Sequence, residues 1–453
     1  MKRPSFCRTH LPAQCHREHG VTMVLVALAM VAIVAMAALS IDVVTLYLAR
    51  EEAQRAADAG ALAAARVISI SGVTGTAGPD NGAGLWTTIC GGDTSVASLT
   101  AKAVAQENSV AGSAATVTVT YSSGSGSSVA NCAAVPGDDL LGVNPLVTVQ
   151  VRRDTLPTLF SRIWSRATNS VSASATAEAF NPSNSGKFAV GAEAVPVTPR
   201  CVKPWIIPNQ DPGNAGFGFV DKTTGAIQSF GVRLNDAGTG IVGEKFLLTD
   251  NCKLSDPSDC NPANMVNNPP QAGYYIPALV TPPARAVPAC ADDSSYQQSI
   301  GGCDVNTVYA CGTVSGSRAD LTINPGGASG DTSTASQCLI HQSGGQDSLD
   351  VSAFPYQIKA GLGNPIINST SQVISSSNSI VTVPIYDDSA GLLAGSNPQV
   401  TILGFLQVFI DKVDPNGNLN VHVLNIAGCG TDASTTLSAP GTSPVPIRLI
   451  TPQ

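Results

Sequence analysis

An uninterrupted run of uncharged residues near the N-terminus constrains the fold of this chain more than any other feature. Residues 20–41 read GVTMVLVALAMVAIVAMAALSI. As an α-helix, the 22 residues of this run would rise about 33 Å, which is enough to cross a bilayer hydrocarbon core of roughly 30 Å. The sequence therefore predicts a single membrane-spanning helix here.

The charges in front of the run predict its orientation. Four basic residues precede it and one acidic residue opposes them: Lys2, Arg3, Arg8, Arg17 and Glu18. Basic residues that flank a span stay on the cytoplasmic side. We therefore expect residues 1–20 to be a cytoplasmic N-terminus and everything after the span to be exported.

A cleaved signal peptide is the competing interpretation of the same run. Ala35-Met36-Ala37 resembles a small-residue cleavage site, which would leave Ala38 at the mature N-terminus. The run is longer than the usual apolar core of a signal peptide, however, and no helix breaker follows it. These two properties favour a retained membrane anchor.

The predicted exported body is acidic and poor in charged residues. Without residues 1–20 the chain has 20 basic and 31 acidic side chains, which argues against nucleic acid and adhesion to anionic lipid as partners. Charged residues are 12% of the whole chain, about half the usual share. This composition is typical of extracellular β structure with long loops.

Most of the cysteines lie on the predicted exported side. They are Cys90, Cys132, Cys201, Cys252, Cys260, Cys290, Cys303, Cys311, Cys338 and Cys429. An even number of cysteines in an oxidising compartment predicts up to five disulfides, whose pairing the sequence does not give. Zinc is the alternative, but there is no C-x-x-C pair, and neither His341 nor His422 neighbours a cysteine pair.

The apolar run continues into a polar, alanine-rich segment that is also helical in pattern. One heptad-spaced stripe of this segment consists mainly of small residues: Leu46, Ala49, Ala53, Ala56, Gly60, Ala63 and Val67. Residues 21–67 therefore predict one helical rod of about 70 Å. The stripe could pack on its own domain or on other copies of the chain by helix–helix self-association.

Beyond the rod, the pattern predicts a small α+β domain at residues 68–180. Its expected elements are helices at 98–108 and 156–165 and strands at 116–121, 146–151 and 171–179. Residues 181–186 (NPSNSG) read as a linker.

Residues 187–453 predict a mostly β, disulfide-stapled distal domain. Its clearest piece is a hairpin of residues 399–410 and 419–426 around Asp414-Pro-Asn-Gly417. The expected fold class is thus α+β: a long N-terminal transmembrane, pilin-like helix, a small α+β domain and this distal β domain.

Several quoted segments carry a resemblance to a known family. The N-terminal part combines His19-Gly20, the run VTMVLVALAMVAIVAMAALSIDVVTLYLA, and EAQRAADAGALAAA from Glu52. It resembles the N-terminal segment of the TadE/TadG-like proteins of the tight-adherence (Flp) pilus system. The later strings VTVQV, TLFSRIWS, VSASATAEA and, from Cys201, CVKPW are similar to the body of those proteins. The resemblance covers about residues 15–205.

The resemblance implies a membrane-anchored component of bacterial pilus assembly, with other pilus-assembly proteins as partners and no enzymatic role. Processed members, such as the TadE-type minor pilins, are cut after a glycine and carry Glu five residues into the mature chain. Here Gly20 and Val21 would flank the cut, but the fifth residue is Leu25. A TadG-like, uncleaved protein is therefore favoured over a processed pseudopilin.

Some TadG proteins end in a von Willebrand A-type domain whose metal site needs D-x-S-x-S after a hydrophobic strand. The nearest candidate is Asp387-Asp388-Ser389, where Gly391 replaces the second serine. A second candidate that starts at Asp331 lacks a preceding strand. We expect both to be ordinary turns.

No motif for catalysis stands out in the exported part. It has no G-x-S-x-G elbow, glycine-rich phosphate loop or H-E-x-x-H. Asp411, Asp414, Asn416 and Asn418 loosely resemble a calcium loop, but no bidentate Glu closes it, and a hairpin turn is favoured. We expect no enzyme, cofactor or metal site. A surface adhesin tethered by the helix, or a hydrolase built from distant residues, is the alternative.

Overall fold

The computed structural model describes residues 19–71, 88–122, 129–131, 146–156, 169–179, 199, 201–222, 227–229, 233, 240–250, 272–278, 294–302, 318–320, 325–352, 356–364, 370–389, 399–428, 445 and 447–450. The named helices are α1 (His19–Ile70), α2 (Val96–Glu107), α3 (Ser295–Gly301) and α4 (Pro325–Leu339). The strands are β1 (Thr116–Ser122), β2 (Leu146–Leu156), β3 (Asn169–Ala179), β4 (Trp205–Pro208), β5 (Lys245–Asp250), β6 (Tyr274–Pro277), β7 (Arg318–Asp320), β8 (Ser348–Asp350), β9 (Gln357–Lys359), β10 (Val373–Ile374), β11 (Ile380–Tyr386), β12 (Gln399–Val413), β13 (Leu419–Gly428) and β14 (Ile447–Ile450).

Helix α1 is one continuous helix of 52 residues, as the sequence pattern predicted. Alanine, leucine and valine dominate it, and no proline interrupts it. Its end is closed at Ser71, whose backbone N–H and hydroxyl both donate to the carbonyl of Ile68. The apolar first half is exposed, whereas the helix is largely buried from Ala49 onward.

The buried half of α1 packs on a four-stranded antiparallel sheet with the order β1-β2-β3-β14. Helix α2 lies beside α1 and contacts β1. Along β1, Val117, Val119 and Tyr121 are buried while the residues between them are not. The Tyr121 hydroxyl is 2.7 Å from Ser98 Oγ on α2, so a polar contact also joins this helix to the sheet. The predicted second helix and the strands are confirmed.

The small residues of α1 allow this close packing. A Cβ atom added at Gly60 would lie 3.0 Å from the Ala101 carbonyl oxygen of α2 and 3.3 Å from Val149 Cγ1 of β2. Ala53 and Ala56 have no exposed surface. Hence the small-residue stripe, over its buried part, packs on its own domain.

The distal part contains a sheet that closes on itself. Its strand order is β11-β4-β6-β5-β13-β12, and β12 pairs again with β11, while β7 adds to the far end of β12. A separate three-stranded sheet has the order β10-β9-β8. Trp205, Tyr275 and Phe405 are among the largest fully buried side chains of this part.

The predicted hairpin is confirmed as β12 and β13. Gly417 takes a positive φ of 77° in its turn. Asp414 Oδ1 accepts the backbone N–H groups of Asn416 at 2.8 Å and Asn418 at 2.9 Å, and its Oδ2 accepts the Asn418 amide at 2.7 Å. The Asp414 carboxylate therefore holds the hairpin turn, as favoured over the calcium loop.

The distal part is rich in β structure, as predicted, but it also contains helices α3 and α4, which were not predicted. The α4 sequence PGGASGDTSTASQCL is rich in residues of low helix propensity. Buried contacts support it instead, since Thr332 Oγ1 lies 3.2 Å from the Tyr275 hydroxyl and 3.0 Å from that of Tyr296. Asp331, expected in a turn, lies in α4 and accepts hydrogen bonds from Ser294 and Gln297 of the α3 N-terminus.

Two connections join the distal part to the first domain. Strand β14 pairs with β3 in the first sheet, with Arg448 opposite Glu178. At the end of α1, Ser69 Oγ donates to the Val445 carbonyl at 2.8 Å, and the Asn425 amide donates to the Ser69 carbonyl. The predicted linker at 181–186 lies outside the described residues, as do residues 157–165 of a predicted helix. The domain division stays a prediction.

Three of the predicted disulfide cysteines lie in the described residues. Cys90, Cys201 and Cys338 are each disulfide-bonded. Cys132, Cys252, Cys260, Cys290, Cys303, Cys311 and Cys429 lie outside the described residues.

We expect Gly60→Leu to destabilise the first domain, because the added side chain meets the α2 backbone and β2 at 3.0–3.3 Å. Overpacking of this kind costs about 1–3 kcal/mol or more. Thermal unfolding of the detergent-solubilised chain measures the loss. Gly330→Leu is the control, since a Cβ atom there meets nothing within 4 Å. Equal melting temperatures for the two variants would contradict the close packing.

We expect Arg448→Met to loosen strand β14. Arg448 Nε donates to Glu178 Oε2 at 2.7 Å, and the Glu178 side chain is only 1% exposed, so the variant leaves a buried carboxylate unpaired at a cost of about 2 kcal/mol. Faster amide hydrogen exchange in residues 447–450 measures this effect. Arg152→Met, which removes an exposed ion pair with Asp154, should leave that exchange unchanged.

Candidate functional site

The exposed half of α1 is the largest apolar surface in the described part of the chain. Large apolar side chains lie more than half exposed on all sides of it, among them Met23, Leu28, Val31, Val34 and Leu39. Contiguous apolar surface of this extent is unfavourable in water and favourable in lipid. Within the described residues, α1 is the one helix long and apolar enough to cross a membrane.

The far end of this apolar surface carries the residue types of a membrane–water interface. Asp42 is buried, and Thr45 Oγ1 donates a hydrogen bond to the Asp42 carbonyl at 2.8 Å. Tyr47 is 67% exposed, and Arg50 follows it one turn later. Aromatic and basic side chains gather at the ends of spans, where polar and apolar environments meet.

The predicted processing site lies at the start of α1. Val21 is 66% exposed, and nothing lies within 4 Å of a Cβ atom placed on Gly20. Leu25, the position at which processed members carry Glu, is exposed as well. Cleavage between Gly20 and Val21 stays a prediction.

The second candidate region is a polar cleft of about 850 Å³ in the distal part. The predicted residues Asp387, Asp388 and Ser389 line it, and the structure brings them together with Gln210 and Lys222. Asp387 Oδ1 accepts the N–H and the hydroxyl of Ser389 at 3.0 and 2.6 Å. Gln210 Nε2 donates to Asp388 Oδ2, and Lys222 Nζ donates to Ser389 Oγ at 2.9 Å.

These contacts make the region around Asp387 a turn, as expected. Burial raises the pKa of Asp388, and the Gln210 hydrogen bond opposes this shift. In the part of the chain that the structure describes, no group of three or more His, Cys, Asp or Glu residues is placed to hold a metal ion. The polar groups of the cleft largely bind one another.

A buried charged cluster beside the cleft was not found from the sequence. Asp211 accepts Gly213 N–H at 2.9 Å and Ser229 Oγ at 2.6 Å. Glu244 lies 3.3 Å from Arg233 Nη1. Burial and the neighbouring Asp211 carboxylate raise the pKa of Glu244 to about 7, while Arg233 opposes the shift. These residues are far apart in sequence and follow no motif, so only the fold reveals the cluster.

Lys203, in the CVKPW string, has a structural role that the sequence did not show. It is buried, and its Nζ donates to the carbonyls of Ile300 at 2.5 Å and Gly302 at 3.0 Å, at the C-terminal end of α3. Burial lowers the pKa of Lys203 to about 8. Trp205 of the same string has no exposed surface. This string therefore anchors α3 to the distal sheet.

The two histidines of the distal part, His341 and His422, are placed differently. His422 Nδ1 on β13 lies 2.5 Å from Asp411 Oδ2 on β12, so this contact joins the two strands of the hairpin. His341 takes a positive φ of 55° after α4, and its Nε2 is 3.4 Å from the Asn378 amide. Each therefore contacts a neighbouring side chain of the distal fold.

We expect the stability of the distal part to depend on pH through Glu244. Its folded-state pKa lies above the unfolded-state value near 4.5, so folding takes up a proton between the two values. The resulting stabilisation is complete below about pH 4.5 and is lost as the pH rises through 7. This loss lowers the melting temperature at pH 8 relative to that at pH 5. Glu244→Gln should make the difference between the two melting temperatures smaller.

The matched control for that measurement is Glu107→Gln. Glu107 ends α2 and is exposed. This variant should keep the pH dependence of the unaltered chain. If Glu244→Gln retained the same dependence as the control, the assignment to Glu244 would be wrong.

Comparison with known proteins bears on α1. Residues 20–67 match the Tad family model, "Putative Flp pilus-assembly TadE/G-like". The matched segment covers the exposed apolar half of α1 and most of its buried half. No curated protein and no solved structure matches the chain. The resemblance inferred for residues 68–205 stays a prediction. Over residues 20–67 the resemblance is confirmed, since this segment matches the TadE/G-like family model.

Proposed function

We propose that this protein is a membrane-anchored, non-catalytic structural component of Flp-type pilus assembly, and a TadG-like member of its family. One observation carries the proposal: the same unbroken helix has an exposed apolar first half and a second half that is buried in the core of a folded domain. The TadE/G-like segment spans both halves of that helix.

The energetics of the exposed half support anchoring. Leaving a Val, Leu, Ile or Met side chain in water costs about 1.5–3 kcal/mol relative to burying it. A row of such side chains from Val21 to Leu39 is exposed here. A bilayer removes that cost, whereas an aqueous environment retains it.

The continuity of α1 favours a structural role over a simple tether. No loop separates Ile41, at the end of the predicted span, from Ala49, where burial in the domain begins. The domain is therefore held at a fixed orientation to the membrane. A flexible linker would suffice for an adhesin, because its binding domain needs only to extend away from the membrane.

We place residues 1–20 in the cytoplasm and the folded part on the exported side of the inner membrane. The basic N-terminus supports this orientation. Disulfide-bonded Cys90, Cys201 and Cys338 support an oxidising compartment, and stapling of the distal domain by further disulfides belongs to the same proposal.

The topology is tested with epitope tags at the two ends of the full-length chain in spheroplasts. We expect external protease to remove the C-terminal tag and to spare the N-terminal tag. Sequencing of the untagged mature protein should begin at Met1. Val21 at the mature N-terminus would support a processed pseudopilin, and Ala38 a cleaved signal peptide. An N-terminal tag lost while the C-terminal tag survives would contradict the topology.

The structural role is tested with Thr45→Pro. Proline would break the hydrogen-bonding of α1 between span and domain while leaving residues 20–41 intact. We expect membrane attachment to persist and pilus number, counted by electron microscopy, to fall to the level of a strain without the gene. Thr45→Ala is the control and should restore pili. Normal piliation with Thr45→Pro would favour a tether over a structural role.

A further inference from the structure

A groove of about 370 Å³ lies where α1 leaves the first sheet. One wall is formed by Val43, Leu46, Tyr47 and Arg50, on successive turns of the helix. Val43 is 53% exposed, whereas Leu46 is partly buried against the core. This wall is apolar at its membrane end and ends in a guanidinium group.

The opposite wall comes from the start of β3. Val171 is buried, and Ser170 and Ser172 flank it with more accessible hydroxyl groups. The groove therefore has an apolar floor and a polar rim. A molecule with an alkyl chain and an oxygen-rich head matches this arrangement.

The height of the groove matches the headgroup layer of a bilayer. Arg50 follows Ile41 by nine residues, which places its Cα about 13 Å beyond the end of the span. Helical side chains lean toward the N-terminus of their helix, so the long Arg50 side chain reaches back toward the membrane. The polar layer of one leaflet is roughly 5–7 Å thick. The guanidinium thus comes to the level of the lipid phosphates.

Arg50 also lacks partners of the kind that Arg448 and Arg233 have. In the described part of the chain, no ion pair or hydrogen bond involves it, whereas Arg448 binds Glu178 and Arg233 lies against Glu244. A guanidinium offers several donors in a planar fork that fits phosphate oxygens. The exported body is acidic overall, and Glu51 and Glu52 follow Arg50 in the helix, but Arg50 is the one Asp, Glu, Lys or Arg residue among those that line the groove.

We propose that this groove binds one phospholipid of the exported leaflet. Arg50 holds the phosphate, the Tyr47 ring lies beside the glycerol backbone, and an acyl chain follows Val43 and Leu46 into the bilayer. This inference rests on the proposed membrane-anchoring function. It adds that the domain is fixed to the membrane surface at a defined lipid as well as through the span.

The test uses the full-length chain, purified in detergent, with defined lipids added and bound lipid counted by native mass spectrometry. The probes are phosphatidylglycerol, phosphatidylcholine and diacylglycerol, which share acyl chains while only the first two carry a phosphate. We expect both phospholipids to bind more tightly than diacylglycerol. Arg50→Gln should weaken phospholipid binding about fivefold, the effect of one basic residue at a lipid surface.

Arg55→Gln is the matched control, since Arg55 is an exposed arginine of the same helix outside the groove. It should bind phospholipid as the unaltered chain does. Equal weakening by both variants, or equal binding of diacylglycerol and phospholipids, would overturn the lipid site. Reconstitution of every variant into liposomes keeps the two proposals apart. A chain that fails to insert counts against the anchor, and one that inserts without phosphate preference counts against the groove alone.

Discussion

The packing of one helix underlies the rest of this structure. Helix α1 keeps its backbone hydrogen bonds unbroken while its surroundings change from an exposed apolar surface to a tight interface with α2 and β2. The change is made by side-chain size. Valine, leucine and methionine cover the exposed half, whereas alanines and Gly60 let the α2 backbone come within 3.0 Å of the Cβ position in the buried half. Small residues yield little hydrophobic energy each, so the close fit supplies the stability through many van der Waals contacts.

The far end of the same helix joins the two parts of the molecule. Ile70 packs with Phe409 and Leu424 of the β12–β13 hairpin, and Ser69 exchanges hydrogen bonds with Val445 and Asn425. Strand β14 then returns to the first sheet. The helix that fixes the first domain therefore also positions the distal sheet, and the two parts share one continuous core.

The sequence predicted the elements whose signals are local. The apolar run, the alternation around Val119 and Val149 and the turn at Asp414 each depend on neighbouring residues, and all three are present. It failed where tertiary contacts override local preference. Helix α4 forms from glycine, serine and threonine because Tyr275 and Tyr296 bind Thr332. The pairing of Arg448 with Glu178 and the Asp211–Glu244 cluster join residues far apart in sequence, and no periodicity reports such contacts.

The two candidate regions differ in whether their polar groups already form hydrogen bonds within the chain. In the polar cleft, Asp387, Asp388 and Lys222 already bind Ser389 and Gln210, so a ligand there would have to break existing hydrogen bonds before forming its own. In the groove where α1 leaves the first sheet, Arg50 has no such contact to give up within the described residues. A binding group without such contacts loses little on association, which favours this groove for the lipid that we propose. Hence the absence of competing contacts makes Arg50 a better candidate for ligand binding than the carboxylates of the cleft.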